Sequence, residues 1–234
     1  MSNNSVPNRL CFGSEDLRLP DALREPILAH LEDLRTKYQK RHWGGLTGFG
    51  EHPALVVIDL AKCWVDPKEA MGSNIESIVE STCRLLKSAR DADIPIFFTS
   101  FESDPMDSHP KKFKGNIPVV AGDRLDLDPR LGRRSTEPLL LKRYASAFKG
   151  TRFLQMLASL RVDTLIVTGV STSHCVYATC RDAVESFRVI VPKEAVGERC
   201  EIMHRVNLLD IEIDLGDVVL EAEVIQYLKG LKVE

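Results

Sequence analysis

The chain has 234 residues, 44% of them hydrophobic and 28% charged, with a formal net charge of −3. A chain of this length suits one large α/β domain with a sizeable core, and its interspersed acids and bases leave no basic stripe for nucleic acid. No run of 18 apolar residues is present to span a membrane, and the opening MSNNSVPNRLCFGSEDLRLP lacks the apolar core of a secretory signal, so a cytoplasmic location is expected.

Residues 1–20, rich in Asn, Ser and Pro, read as a flexible N-terminal arm. Asp21 can cap a helix to about Lys40, with Leu23, Ile27, Leu31, Leu34 and Tyr38 near helical spacing; with the Gly-rich linker it forms a segment 21–45. Its apolar stripe can cover a partner subunit or the chain's own sheet. A single domain is expected over 46–234. Ala54–Asp59 is a continuous apolar run ending in an acid, as a buried parallel strand reads. A helix is predicted over 74–92 and a strand over 94–99. Residues 101–137 form a long polar segment, of the kind that usually serves function. Leu139–Lys142 is a third strand, 151–160 a helix and 163–168 a fourth strand. Helix 174–186, strand 188–191 and helices 201–212 and 220–228 complete the prediction.

Strands alternating with helices predict an α/β fold, a doubly wound, mostly parallel sheet with helices on both faces. Ligands bind such sheets outside the carboxyl ends of the strands, where strand order reverses. Asp59 ends the first strand, Lys142 ends the third and Cys175 follows the fourth. A strand order 3-2-1-4-5 brings Asp59 and Cys175 to one crevice.

Cys175 lies at the predicted first turn of a helix, whose free N–H groups and dipole lower a thiol pKa. It reads either as a nucleophile or as a small core hydrophobe. With Lys142 as positive charge and Asp59 as proton acceptor, the three make a Cys-Asp-Lys triad for acyl transfer to water through a thioester. Amides at Cys175 and in the preceding turn can stabilise the oxyanion. The plainer readings are a turn residue for Asp59, a solvated strand end for Lys142, and a pocket-lining or surface position for His174. The six cysteines, at 11, 63, 83, 175, 180 and 200, include no CxxC pair, which argues against a zinc ribbon and predicts free thiols.

The segments ALVVIDLAKCWVDP (54–67), LKRYASAFKGT (141–151) and IVTGVSTSHCVYATCRDA (166–183) together resemble the isochorismatase-like cysteine hydrolases, over roughly residues 50–230. EAVGER (194–199), NLLDIEIDLGDV (207–218) and the extra N-terminal helix resemble the N-carbamoylsarcosine amidohydrolase branch. The resemblance implies Asp59 as general base, Lys142 as charge stabiliser and Cys175 as nucleophile. It also implies a cis peptide between Val170 and Ser171 that turns N–H groups toward the oxyanion, and Arg199 as the partner of a substrate carboxylate. For Arg199 a surface salt bridge is the alternative. Ser171, Thr172 and His174 join Arg199 as expected substrate-binding residues. The implied assembly is a homotetramer in which a neighbouring subunit approaches the site.

DLAKCWVDPKEA has no histidine to complete the metal cluster of nicotinamidases, so no metal and no cofactor are expected. Cys175 argues against the vinyl-ether chemistry of true isochorismatases. The expectation is thus an amidohydrolase for a small amide or ureido substrate, such as N-carbamoylsarcosine, releasing ammonia. Alternatives are a maleamate or ureidoacrylate amidohydrolase, a catalytically idle binding or assembly protein, and a redox-sensing thiol with Cys180 or Cys63 as its resolving partner.

Overall fold

The computed structural model describes residues 17–69, 71–102 and 122–231. Most of the expected N-terminal arm, and residues 103–121 of the long polar segment, lie outside the described residues.

Seven strands form one parallel sheet: β1 (Pro53–Ile58), β2 (Ile96–Phe101), β3 (Leu139–Lys142), β4 (Thr164–Val170), β5 (Arg188–Pro192), β6 (Val196–Gly197) and β7 (Asp217–Val219). Their order is β3-β2-β1-β4-β5-β7, with β6 paired to the end of β4. The expected 3-2-1-4-5 order is therefore present, and β1 and β4 are neighbours where the winding reverses.

Every residue of β1 and β4 is buried, because helices cover both faces. The period of two still sorts the side chains. Leu55 and Val57 join a core with α2 (Lys62–Val65), α3 (Glu76–Asp91) and α7 (Glu221–Gly230). Ala54, Val56 and Ile58 join a second core with α4 (Phe153–Ser159), α5 (Tyr177–Ala183) and α6 (Glu201–Asp214). Cys175 and Cys180 belong to the second core and Cys63 to the first, so Cys63 and Cys175 lie on opposite faces of the sheet.

The first helix, α1 (Asp21–Gln39), buries no residue completely. It lies on α6, held by ion pairs Arg24–Glu201 and Arg35–Glu212. Beyond it, Trp43 Nε1 donates to Asp214. Within the described chain it covers a helix and not the sheet.

Two predictions shift, and two short strands are added, for physical reasons. The second strand begins at Ile96 and not at 94: the Ile94 amide bonds back to Ala89 O, and Pro95 has no N–H to give a ladder. The helix predicted over 174–186 opens with a π-helical turn, Thr172–Val176, and only then becomes α5. β6 and β7 are two and three residues long, too short to show a period.

Gly169 sets how closely β4 approaches β1. Its φ is +104°, and a Cβ there would lie 2.0 Å from the Ile58 carbonyl oxygen. Gly169→Ala is therefore expected to cost about 3 kcal/mol or more, a fall in melting temperature of roughly 6–12 °C. A variant melting like the parent would contradict this close approach.

Candidate active site

The crevice lies at the carboxyl ends of β1, β3 and β4. Asp59 directly follows β1 with φ +50°, a left-handed conformation that Asp tolerates better than most residues. That turn directs its carboxylate along the top of the sheet. Lys142 is the last residue of β3, paired in register with Phe101 of β2. Strands lie about 4.8 Å apart, so β3 is about 10 Å from β1, and the Lys142 stem crosses the end of β2 to reach Asp59. Its ammonium passes 3.9 Å from the centroid of the Phe101 ring.

Three side chains meet there. Lys142 Nζ is 2.7 Å from Asp59 Oδ2 and 3.4 Å from Cys175 Sγ, and donates to Tyr144 O at 3.2 Å. Asp59 and Lys142 are 1% exposed and Cys175 5%. Thr99 Oγ1 donates to Asp59 Oδ1 at 2.6 Å and accepts the Asp59 amide at 3.2 Å. Asp59 Oδ2 contacts the ammonium by distance, yet no described donor points a hydrogen bond at it. This oxygen faces Lys142, while Thr99 holds the other.

Burial dominates the electrostatics. It pushes the Cys175 thiol pKa up, the Asp59 carboxylate adds to the rise, and Lys142 only partly offsets it. The lowering expected from a helix start is therefore overturned: a five-residue π-helical turn precedes α5, and desolvation outweighs the positive neighbour. For Lys142 burial works downward, but the Asp59 carboxylate beside it wins, and its pKa is raised. The Cys175 thiol thus keeps its proton at rest, beside the charged Lys142 ammonium.

The Val170–Ser171 peptide is cis. In the turn that follows, the amides of His174 and Val176 donate to Ser171 O, and that of Ser173 to Glu198 Oε2. These three amides are engaged. Thr172, expected among the substrate-binding residues, is fully buried; its hydroxyl donates to Gly197 O at 3.0 Å and contacts His204 Nδ1 at 2.9 Å. Its side chain braces the turn. Ser171 is 8% exposed at the end of β4. His174 is half-exposed, with Arg199 Nη2 3.5 Å from its Nε2. Arg199 lines a cavity of about 530 Å³ with Arg18, Arg24, His204 and Arg205 among its neighbours; Asp59, Lys142 and Cys175 are not on its walls. Tyr177 points its hydroxyl at Asp210 of α6.

Two supporting residues carried no sequence signal. Thr99 lies within the run IFFTSF and reads as strand core. Thr179 accepts the Ala147 amide and donates to Cys175 O, linking the segment after Lys142 to the nucleophile helix. Of the long polar segment, the described part lies beside the crevice: Leu127 bridges to Ala61, and Ser100 Oγ donates to Leu125 O. Among the described residues, no three His, Cys, Asp or Glu side chains converge as metal ligands.

Residues 53–223 match the family described as "Isochorismatase domain". The chain is 33% identical to an N-carbamoylsarcosine amidase from Arthrobacter sp over 94% of its own length and 86% of that protein's. It is 32% identical to a maleamate amidohydrolase from Pseudomonas putida, over 87% and 99% of the two chains. In fold it is similar to a cysteine hydrolase from Pseudomonas syringae pv. phaseolicola, with a TM-score of 0.73 and 22% identity over 81% and 98% of the two chains.

His204 yields a pH test. Burial, and then the nearby Arg205, hold its pKa down at about 4, below the ordinary 6.5. The unfolded chain therefore takes this proton first, and stability falls as pH drops from about 6.5 to about 4, by up to about 3 kcal/mol. His204→Asn keeps an N–H for Thr172 but does not titrate. Urea denaturation at pH 7 and 5 should show a clearly smaller loss in the variant; equal losses would refute the buried neutral imidazole.

Proposed function

Given that the chain belongs to the isochorismatase family, we propose that it hydrolyses the C–N bond of a small amide through a covalent Cys175 intermediate. The observation that carries this reading is the contact of Asp59, Lys142 and Cys175, all three buried, at the sheet's switch point.

Attack begins with the thiol proton passing from Sγ to Asp59 as the sulfur bonds to the substrate carbonyl carbon. The transfer leaves the net charge of the buried triad at zero, so it avoids the desolvation penalty of creating a lone thiolate. Lys142 stays charged and stabilises the developing anion. Amides at Cys175 and at Ser171, beyond the Val170–Ser171 peptide, are the donors we favour for the tetrahedral oxygen, since those of Ser173, His174 and Val176 are engaged. Protonated Asp59 then gives its proton to the departing nitrogen, and ammonia leaves. Water, deprotonated by Asp59, hydrolyses the thioester or thiocarbamate and restores the thiol.

The substrate we favour carries a carboxylate, recognised by Arg199, as N-carbamoylsarcosine and maleamate both do. A homo-oligomer is the working unit we favour; Leu23, Tyr38, Trp43 and Leu46, all exposed on α1 and the linker, support it.

Ammonia release should be measured over N-carbamoylsarcosine, other N-carbamoyl amino acids, maleamate, ureidoacrylate, biuret and nicotinamide. Turnover of one carboxylate-bearing member is expected, with Cys175→Ala lowering kcat by roughly 10⁴-fold or more while the fold is kept. Substantial turnover by that variant would rule out covalent catalysis by Cys175.

A further inference from the structure

A second buried polar cluster lies behind the nucleophile turn. Glu198 follows β6, and its side chain is 1% exposed. Oε2 accepts the Ser173 amide at 3.0 Å and the Ser173 hydroxyl at 2.5 Å, while Oε1 accepts the Arg199 amide at 2.9 Å. One carboxylate therefore ties the turn that carries Cys175 to the segment that carries Arg199. It stays ionised: burial works upward on its pKa, but His174 nearby, the two hydrogen bonds from Ser173 and the Arg199 charge hold it at about 2.

Chemistry fixes the direction of each hydrogen bond. A carboxylate only accepts, so the Ser173 hydroxyl gives its single proton to Glu198. The 2.7 Å contact between Ser173 Oγ and His174 Nδ1 must then be donated by the imidazole. With a proton on Nδ1, the ring turns Nε2 toward Arg199 Nη2, 3.5 Å away. The hydrogen bonds run from the Arg199 guanidinium through His174 and Ser173 to Glu198, which accepts the Arg199 amide in turn. Each member orients the next.

We propose that Glu198 and His174 are positioning residues that hold the Arg199 guanidinium against the turn that carries Cys175, and so set a preference for anionic reactants that approach that turn. The inference rests on the reading of Cys175 as nucleophile and Arg199 as carboxylate partner. Its consequence is separable: losing the ring should impair a negatively charged reactant and spare a neutral one of the same size.

Iodoacetate and iodoacetamide supply that pair, with one leaving group and near-equal bulk. Their rates of Cys175 alkylation, located by peptide mass mapping, give a ratio that needs no natural substrate. A general disturbance of the turn moves both rates alike and leaves the ratio unchanged. Arg199→Leu, Glu198→Gln and His174→Leu should each lower the iodoacetate preference by about fivefold or more. His174→Gln should restore it, because its side-chain oxygen can stand in for Nε2. A ratio lowered by Arg199→Leu but unchanged by His174→Leu and Glu198→Gln would overturn the positioning role. A ratio unchanged by all three would overturn the anion preference as well. Wild-type Cys175 reacting with neither reagent would overturn the anion preference, while ammonia release lost in Cys175→Ala decides the nucleophile reading separately. If Glu198→Gln fails to fold, the two His174 variants decide the question.

Discussion

An ammonium and a carboxylate buried within 2.7 Å of each other at the end of a parallel sheet are the condition on which the site depends. Neither could be buried alone, since an unpaired charge in the interior costs several kcal/mol. Together they make a neutral pair, and the protonated thiol beside them adds no charge. A buried ion pair is weak support for stability, because well-packed apolar groups often do as well. Under the proposed mechanism the pair also serves the proton: the thiol can lose one only if an acceptor lies within the same low-dielectric pocket, and the Asp59 carboxylate is that acceptor.

The scaffold makes that arrangement reproducible. β1 and β4 lie side by side because the winding reverses between them, and the close approach at Gly169 keeps their ends in contact. Thr99 occupies one carboxylate oxygen of Asp59, leaving the other to Lys142 and the thiol. Phe101 and Tyr144 O steady the ammonium from β2 and from the segment after β3. Thr179 and Thr172 brace the Cys175 turn from opposite directions. Most of these contacts are hydrogen bonds to backbone, which set position more finely than apolar packing does.

Much of this was legible in the residues. An apolar run ending in Asp59, another ending in Lys142 and a third leading to Cys175 placed three reactive side chains at strand ends. Alternation of strands with helices then predicted the sheet order that brings them together. What stayed hidden depended on distance across the sheet. Thr99 sits in an apolar strand, and nothing local tells a bracing hydroxyl from a core one. Nothing in the sequence singles out Glu198; its burial follows from where β6 docks against β4. The thiol was misjudged for the same reason: a helix start is visible in sequence, whereas the desolvation that outweighs it is set by the packing of α4, α5 and α6.

At rest the site holds the Cys175 proton on sulfur, beside the charged Lys142. The most direct test is the ultraviolet absorbance of thiolate, taken as the difference between the parent protein and Cys175→Ala from about pH 6 to about pH 8 without substrate. The account predicts a flat difference with no thiolate signal across that range. A thiolate signal at neutral pH that disappears with Cys175 would mean that the proton already rests elsewhere, and would contradict it.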